Sequence, residues 1–236
     1  MSFKAFGAVL AALALAACGG QTRASLTPVQ GDSFLGNPSA ALTVYEYGAP
    51  TCPGCKAWHD QYWAKLKAAY IDTNKIKFVF REFPSHNPPV DAAIFAIARC
   101  SGTADYFPVL DEAFARQQKI DNASRSATGP MGELESLGAA FKLSAEQVHS
   151  CIDDPKMHQR IFDVQAMGAA QGVEYTPTFV INGKIVEDAT YDSLSAQIVA
   201  ALAVPASPAS TPAPAATAPA AAAPAPAPAS PAPAAP

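Results

Sequence analysis

The stretch YGAPTCPGCKAWHDQYW (Tyr47–Trp63) decides the fold of this chain. It places Cys52 and Cys55 three residues apart, with Pro53 and Gly54 between them, directly before a helical pattern. If Cys52 is the N-cap residue, Pro53 occupies the first helical position, where proline is favoured. The Cys52 sulfur then faces unpaired backbone N–H groups at the positive end of the helix dipole, which favours the thiolate. We therefore predict an exposed, nucleophilic Cys52.

Cys55 lies one turn further on, at the head of a stripe of apolar residues with helical spacing: Trp58, Tyr62 and Leu66. Because this stripe faces the core, we predict that Cys55 is shielded and has a higher thiol pKa than Cys52. An exposed acidic thiol beside a buried thiol is the arrangement that disulfide exchange requires. His59, one turn after Cys55, is interpreted as a surface histidine rather than as a group that tunes the thiolate.

Strand and helix patterns alternate around this stretch. The sequence predicts strands over 41–49 and 75–83 on either side of the helix, and so a β-α-β unit with parallel strands. Between about 89 and 174 only helical patterns occur, over 90–101, 105–118, 131–142, 144–153 and 155–172. TPTFVINGKIVED then predicts two strands joined at Asn182-Gly183 by a type I′ turn, and a helix over 191–203 follows. The predicted class is α/β, ordered β-α-β, helical insertion, β-β-α.

The start of the chain differs in composition from the part predicted to fold, 34–204. Residues 1–17 hold one lysine, an apolar run and small residues, which is typical of a secretory signal and too short for a stable membrane span. A buried N-terminal helix is the alternative, but the run has no polar face. LAAC at Leu15–Cys18 resembles the bacterial lipoprotein cleavage box. That resemblance implies a mature chain with lipidated Cys18 and a linker over 18–33; ordinary signal cleavage is the alternative.

The end of the chain also has its own composition. Residues 205–236 contain 11 Pro and 16 Ala, with Ser and Thr as the remainder. Such a segment cannot bury a core, so we predict an extended, disordered tail. The net charge of the whole chain, −4, gives no electrostatic case for nucleic acid as a partner.

The chain has five cysteines, an odd number. Lipid attachment would account for Cys18, and in an oxidising compartment the other four are expected to pair. With Cys52–Cys55 as the local pair, Cys100 and Cys151 remain. Each of these two closes an apolar helix on its core side, so we expect a structural disulfide between them. Two free buried thiols would explain the same pattern.

A zinc site is one alternative for the Cys-x-x-Cys. It needs about four ligands, normally two such pairs. The chain has no second Cys-x-x-Cys, and its four histidines are scattered. We therefore expect neither a metal nor a bound cofactor. A purely structural disulfide is the other alternative, but one of so short a span would restrict the unfolded chain very little.

Two motifs, VYEYGAPTCPGC and GVEYTPTFVINGK, together resemble the thioredoxin superfamily, and the helical insertion resembles its DsbA branch. The resemblance implies a cis Thr176-Pro177 bond that packs against the two sulfurs. It also implies that a substrate pairs as an added strand with the surface formed by Pro53, Gly54, Thr176 and Pro177. Glu46 would be the buried acid that shuttles protons for Cys55; a solvated strand carboxylate is the alternative.

The resemblance implies a periplasmic thiol:disulfide oxidoreductase, monomeric and anchored to a bacterial membrane through lipidated Cys18. Its expected partners are unfolded exported proteins with free thiols and a membrane protein that reoxidises the cysteine pair. Because Pro53-Gly54 supplies no side-chain charge, we expect a weaker oxidant than the best-known DsbA proteins. A disulfide isomerase, a reductase in a maturation pathway and a non-enzymatic Cu(I) or thiol chaperone stay open. No Met or His cluster flanks the pair, which counts against Cu(I).

Overall fold

The computed structural model describes residues 31–203. The predicted signal peptide (1–17), the linker up to residue 30 and the Pro/Ala-rich tail (205–236) lie outside the described residues. Between residues 31 and 203, no helix combines the length and the apolar character needed to cross a membrane.

Five strands of the described chain form one mixed sheet in the order β1-β3-β2-β4-β5. The strands are β1 (Ser33–Gly36), β2 (Thr43–Gly48), β3 (Lys77–Glu82), β4 (Thr178–Ile181) and β5 (Lys184–Ile185). β2 and β3 pair in parallel. The pairs β1–β3, β2–β4 and β4–β5 are antiparallel. The predicted α/β thioredoxin fold, with its β-α-β unit and its β-β hairpin, is confirmed.

The helix that follows Cys52 runs without a break along the sheet. It consists of α1 (Pro53–Trp58), a π-helical turn (His59–Trp63), α2 (Ala64–Leu66) and a second π-helical turn (Lys67–Ile71). Widened π-helical turns inside an α-helix occur frequently at functional sites. The first of them begins at His59, one turn after Cys55.

Helices fill the chain between β3 and β4, as predicted. They are α3 (Pro88–Cys100), α4 (Tyr106–Ala115), α5 (Gln117–Ser124), α6 (Met131–Ala140), α7 (Ala145–Ile152) and α8 (Pro155–Ala170). The single helix predicted over 105–118 is wrong, because the backbone of Arg116, at φ −90° and ψ 0°, separates α4 from α5. A final helix, α9 (Tyr191–Ala203), follows the hairpin.

Helices cover both faces of the sheet. Alternate strand residues join the main core with side chains of α3, α4 and α9: Val44, Phe78, Phe80, Phe179 and Ile181. The residues between them pack on the other face with Val164 of α8: Tyr45, Tyr47, Val79 and Val180. Because successive side chains of a strand point to opposite faces, Glu46 lies on the same face as Val44.

The folded part of the chain begins earlier than residue 34, and β1 is a strand that the sequence analysis does not predict. Asp32 pairs with Arg81 and with Arg160, each at 3.1 Å, and the Gly31 carbonyl accepts a hydrogen bond from Arg99. The end of the predicted linker is thus bound to the domain. A four-residue edge strand is too short to show a period-two pattern.

Two local predictions are confirmed. Ser144 caps α7, and Ser144 and Gln147 make both hydrogen bonds of a capping box. At the hairpin, Asn182 and Gly183 have φ values of 50° and 72°, as a type I′ turn requires. Both signals act within four residues, so the sequence alone carries them.

A disulfide joins Cys100, the last residue of α3, to Cys151 of α7. The two cysteines are separated by 51 residues, so the bridge closes a long loop within the helical insertion. Cys151 is buried, but Cys100 is exposed. The interpretation of Cys100 as a core-side residue is therefore wrong, because α3 ends there.

Candidate active site

Cys52 is the N-cap residue of α1, and Pro53 stands at the start of that helix. The Cys52 sulfur accepts a hydrogen bond from the backbone N–H of Cys55 at 3.1 Å and, in its protonated form, donates one to the Thr176 carbonyl oxygen at 3.4 Å. Hydrogen bonding, above all from the Cys55 side chain, lowers the pKa of Cys52 to about 6, against the opposing effect of burial. The thiolate is therefore the main form of Cys52 at neutral pH.

Cys52 is less accessible than the sequence predicts. Only 5% of it is exposed, so the prediction of an exposed Cys52 is wrong. Three residues from distant parts of the chain cover it. The Thr176 carbonyl contacts its sulfur, Phe114 packs in the same apolar cluster, and Gln117 Nε2 donates a hydrogen bond to the Cys52 carbonyl oxygen at 3.0 Å. Gln117 is the first residue of α5.

Cys55 is a free thiol with no solvent exposure. Burial, followed by the interaction with Cys52 and by the charge of Glu46, raises the pKa of Cys55 well above its ordinary value. As predicted, the second cysteine is the shielded one with the higher pKa. At neutral pH the pair therefore consists of a Cys52 thiolate and a Cys55 thiol, and the thiolate is the more nucleophilic of the two.

The predicted substrate-binding residues lie together around Cys52. The Thr176-Pro177 bond is cis, and Pro53 and Gly54 are exposed. A Cβ atom on Gly54 would lie 3.5 Å from Cδ of Pro177 and 3.8 Å from the Cys52 sulfur. The Cys-Pro-Gly-Cys turn and the cis-proline loop therefore form one surface, with the nucleophilic sulfur between them.

A cavity of about 290 Å³ adjoins this surface. It extends from Gly54 and Pro177 to the rings of Trp58 and Tyr62 and to Asp188. The sequence analysis interprets the aromatic residues of α1 as core. Trp58 is buried, but its ring also forms part of the wall beside the redox pair. A helical stripe does not reveal which of its members borders a cavity.

Glu46 is fully buried on β2, so the alternative of a solvated carboxylate is wrong. Its Oε1 atom lies 3.2 Å from His59 Nε2, while its Oε2 atom has no hydrogen-bond partner among the described residues. Gly48 leaves room for the carboxylate, since a Cβ there would lie 2.8 Å from the Phe80 ring and 3.1 Å from Oε1. The charge of Glu46 also contributes to the raised pKa of Cys55.

The interpretation of His59 as a surface histidine is wrong. Its side chain is 9% exposed, and its ring centroid lies 4.5 Å from that of Phe114 and 5.1 Å from that of Trp63. Phe114 belongs to α4 in the helical insertion, so no local pattern around His59 reveals this contact. Because Cys55 and His59 are four residues apart on one helix, they share a face.

Asp91 fixes the loop before Cys52, and the sequence analysis does not single it out. Its carboxylate accepts hydrogen bonds from the backbone N–H groups of Thr51, at 2.8 Å, and Ser85, at 3.0 Å. The Ser85 hydroxyl in turn accepts one from the Thr176 hydroxyl at 3.0 Å. Burial raises the pKa of Asp91 to about 6. The sequence signal for Asp91 is an acidic residue in the first turn of a predicted helix. Such a residue is equally expected from its favourable interaction with the helix N-terminus, so the signal does not point to a site.

The site thus combines two thiols with opposite pKa shifts, a buried acid, and the surface formed by the Cys-Pro-Gly-Cys turn and the cis-proline loop. Such a pair can exchange a disulfide with another molecule, because the low-pKa sulfur is both a nucleophile and a good leaving group. No cluster of three or more His, Cys, Asp or Glu side chains that could hold a metal ion occurs within residues 31–203.

A protein-family model described as thioredoxin matches residues 29–200. The chain belongs to the thioredoxin family. This thioredoxin-family chain is also similar to a provisionally named protein-disulfide oxidoreductase of Rickettsia bellii, at 32% identity over 170 residues. The match covers 72% of this chain and 64% of the relative, so the chain spans a little less than two thirds of that protein.

Two solved structures share the fold of this thioredoxin-family chain. BdbD from Bacillus subtilis in its oxidised form gives a TM-score of 0.65 at 20% identity, covering 74% of this chain and 95% of BdbD. The alpha-DsbA1 protein of Wolbachia pipientis gives a TM-score of 0.64 at 24% identity. The match covers 75% of this chain and 94% of the Wolbachia protein. The sheet with its helical insertion is therefore the architecture of these two proteins as well.

We predict that the rate at which iodoacetamide alkylates Cys52 rises with pH through a midpoint of about 6, the pKa of its thiol. The reaction should slow as the pH falls below that midpoint, because only the thiolate reacts. In a Cys55→Ala variant the midpoint should rise, since the largest stabilising contribution to the thiolate comes from Cys55. A midpoint above about 8 in the unmodified chain, as for free cysteine, would contradict the prediction.

Proposed function

We propose that this chain is an exported thiol:disulfide oxidoreductase that introduces disulfides into periplasmic proteins through Cys52 and Cys55. One observation carries the proposal: the thiol with a pKa of about 6 begins a helix, directly before a buried thiol whose pKa is raised. The oxidoreductase name of the Rickettsia bellii relative supports disulfide chemistry of this kind.

The reaction begins with the oxidised Cys52–Cys55 pair. A substrate thiolate attacks the Cys52 sulfur, the bond between the two cysteines breaks, and Cys55 leaves with the electron pair and takes up a proton. A second substrate thiolate then attacks the substrate sulfur of this mixed disulfide, and Cys52 leaves as a thiolate. The substrate has lost two electrons to the pair, which a membrane redox partner must reoxidise. Its low pKa makes Cys52 a good leaving group.

The pKa of Cys52 also sets an expected redox potential. In DsbA a thiol with a pKa of about 3.5 accompanies a potential of about −120 mV. At pH 7 a pKa of about 6 stabilises the reduced form by roughly 3 kcal/mol less, which corresponds to roughly 65 mV. We therefore expect a potential of roughly −190 mV from equilibration with glutathione. A value more oxidising than about −120 mV would refute the prediction of a weaker oxidant.

Refolding assays with ribonuclease test the proposed function. The oxidised chain should accelerate the return of activity to reduced, unfolded ribonuclease, because it supplies disulfides. It should rescue ribonuclease with scrambled disulfides little, since rescue requires a reduced pair that isomerises. Rescue of the scrambled protein without oxidation of the reduced one would replace the oxidase with an isomerase. Tight Cu(I) binding by the reduced chain, with neither refolding activity, would favour the chaperone.

We also propose that the protein acts in the periplasm, held at a bacterial membrane by lipid on Cys18. The support is the residue pattern of the first 18 residues, which lie outside the described part of the structure. After expression in a bacterial host, the protein should sediment with membranes, and a Cys18→Ala variant should not. Equal sedimentation of both proteins would exclude lipid on Cys18 as the anchor.

A further inference from the structure

His59 lies between the buried carboxylate of Glu46 and a second cavity, of about 230 Å³. This cavity is lined by His59, Asp60, Trp63, Asp111, Phe114 and Ala115. It shares no lining residue with the cavity beside Pro177. One histidine ring therefore contacts the acid whose charge acts on Cys55 and also borders a separate opening in the protein.

Cys55 must gain a proton when the disulfide opens and lose one when it closes. Neither Cys55 nor Glu46 has any solvent exposure, so neither exchanges protons directly with bulk water. The Glu46 Oε1 atom is engaged by His59, whereas Oε2 has no hydrogen-bond partner among residues 31–203. That oxygen is available to exchange a proton with the thiol whose pKa Glu46 influences.

We propose that His59 is the proton-transfer partner of Glu46, and that the proton needed at Cys55 enters and leaves through His59 and the cavity lined by Asp111. The inference rests on the proposed function and adds the route by which its buried thiol is protonated. His59 acts through Glu46, and the cavity that it borders shares no lining residue with the cavity beside Pro177.

The proposed proton transfers use both ring nitrogens of His59: Nε2 faces Glu46, and Nδ1 exchanges a proton with water. The proposed cycle starts, with the disulfide closed, from a proton on Glu46 Oε2 and from a His59 ring that donates its Nε2 proton to Oε1. When the disulfide breaks, the departing Cys55 thiolate takes the Oε2 proton, and His59 takes a proton from cavity water on Nδ1. The products are the Cys55 thiol, the Glu46 carboxylate and an imidazolium paired with it. Closing the disulfide reverses each transfer, so no buried charge is left without its partner.

The surroundings of the ring suit both of its charge states. The titratable groups that face it are Glu46 from β2, Cys55 and Asp60 from its own helix, and Asp111 from α4. The other neighbours are aromatic: Trp58, Trp63, Phe80 and Phe114. Aromatic rings tolerate a neutral imidazole and attract a cation. Carboxylates on both sides provide negative charge when the ring is protonated.

Stopped-flow oxidation of the reduced chain by glutathione disulfide separates the two chemical steps. At low concentration the rate reports attack by Cys52; at saturation it reports attack by Cys55 on the mixed disulfide, which requires loss of the Cys55 proton. In His59→Gln we expect the saturating rate to fall on the order of tenfold to a hundredfold, the range for a lost proton-transfer group. The second-order rate should stay within about twofold of that of the unmodified chain, because Cys52 is already ionised.

A second histidine provides the matched control. His149 Nε2 lies 2.8 Å from Glu135 Oε1, but that pair is on the surface, so His149→Gln should leave both rates unchanged. A His59→Ala variant extends the cavity, and added imidazoles should restore its saturating rate. The restored rate should vary with the pKa of the added imidazole, because the efficiency of proton transfer depends on that pKa. A compound that only filled the cavity would restore the rate regardless of its pKa.

Two results would overturn the inference. One is a saturating rate for His59→Gln within about twofold of that of the unmodified chain. The other is restoration of His59→Ala by all imidazoles equally, which would assign His59 a packing role. Failure of the unmodified chain to react with glutathione disulfide at all would instead contradict the proposed function, and the inference with it.

Discussion

Replacing Cys52 with Ser should abolish disulfide exchange, with a loss on the order of a thousandfold or more in the rate of thiol oxidation. A serine hydroxyl is not ionised at neutral pH and forms no disulfide. Cys55 cannot replace Cys52, because it has no solvent exposure and its pKa is raised. The measurement is the rate at which the oxidised chain forms disulfides in reduced ribonuclease.

Cys55→Ser is the informative comparison for this variant. It keeps the nucleophile at Cys52 but removes the internal thiol. When this variant is offered a substrate that already contains a disulfide, Cys52 should attack that disulfide and form a mixed disulfide that no internal thiol releases, so the adduct should accumulate and appear on non-reducing gels. Cys18→Ala should leave the exchange rate unchanged, since the proposed lipid site takes no part in the chemistry. If Cys52→Ser retained exchange within about tenfold of the unmodified rate, the nucleophile would be a different residue.

Removing the disulfide of the helical insertion should greatly lower the free energy of unfolding of the domain. The bridge between Cys100 and Cys151 spans 51 residues, and closing a loop of that length contributes about 4 kcal/mol in the chain-entropy model. For a domain of this size, replacing both cysteines with Ser should lower the Tm by roughly 8–16 °C. Differential scanning calorimetry without a reductant measures the change.

The same double variant should keep its activity. Asp91, which binds the loop before Cys52, lies nine residues before Cys100 on α3, or about 14 Å along the helix. A reductant should lower the Tm of the unmodified chain toward that of the double variant. A double variant whose Tm falls by less than about 3 °C would contradict the entropic explanation.

The sequence predicts the parts of this molecule whose causes are local. The capping box of Ser144 and Gln147, the hairpin turn at Asn182-Gly183 and the N-cap position of Cys52 are each determined within a few residues. The alternation of β2 also predicts the side of the sheet on which Glu46 lies. Together these signals give the fold and the two sulfurs, because each depends on backbone geometry or on a period of two or 3.6 residues.

The parts that the sequence does not predict depend on contacts between distant segments. Cys52 is covered by Thr176, and His59 is enclosed by Phe114. Arg81 is fully buried because its charge is paired with Asp32, far away in the chain. In each case a segment brought in by the tertiary fold covers or pairs the residue, and no local pattern around the residue reveals that segment. Exposure of a polar or reactive side chain is thus the property that a single sequence predicts least well.

The dipeptide between the cysteines contributes little to holding the site together. Asp91 and Gln117 hold the loop through backbone atoms of Thr51 and Cys52, whereas Pro53 and Gly54 face solvent. A side chain at Gly54 would make only ordinary contacts, at 3.5 Å or more. Substitutions there can therefore alter the electron affinity of the pair while its supports stay in place. The chain is a suitable host for a graded series of redox reagents made by changing one residue.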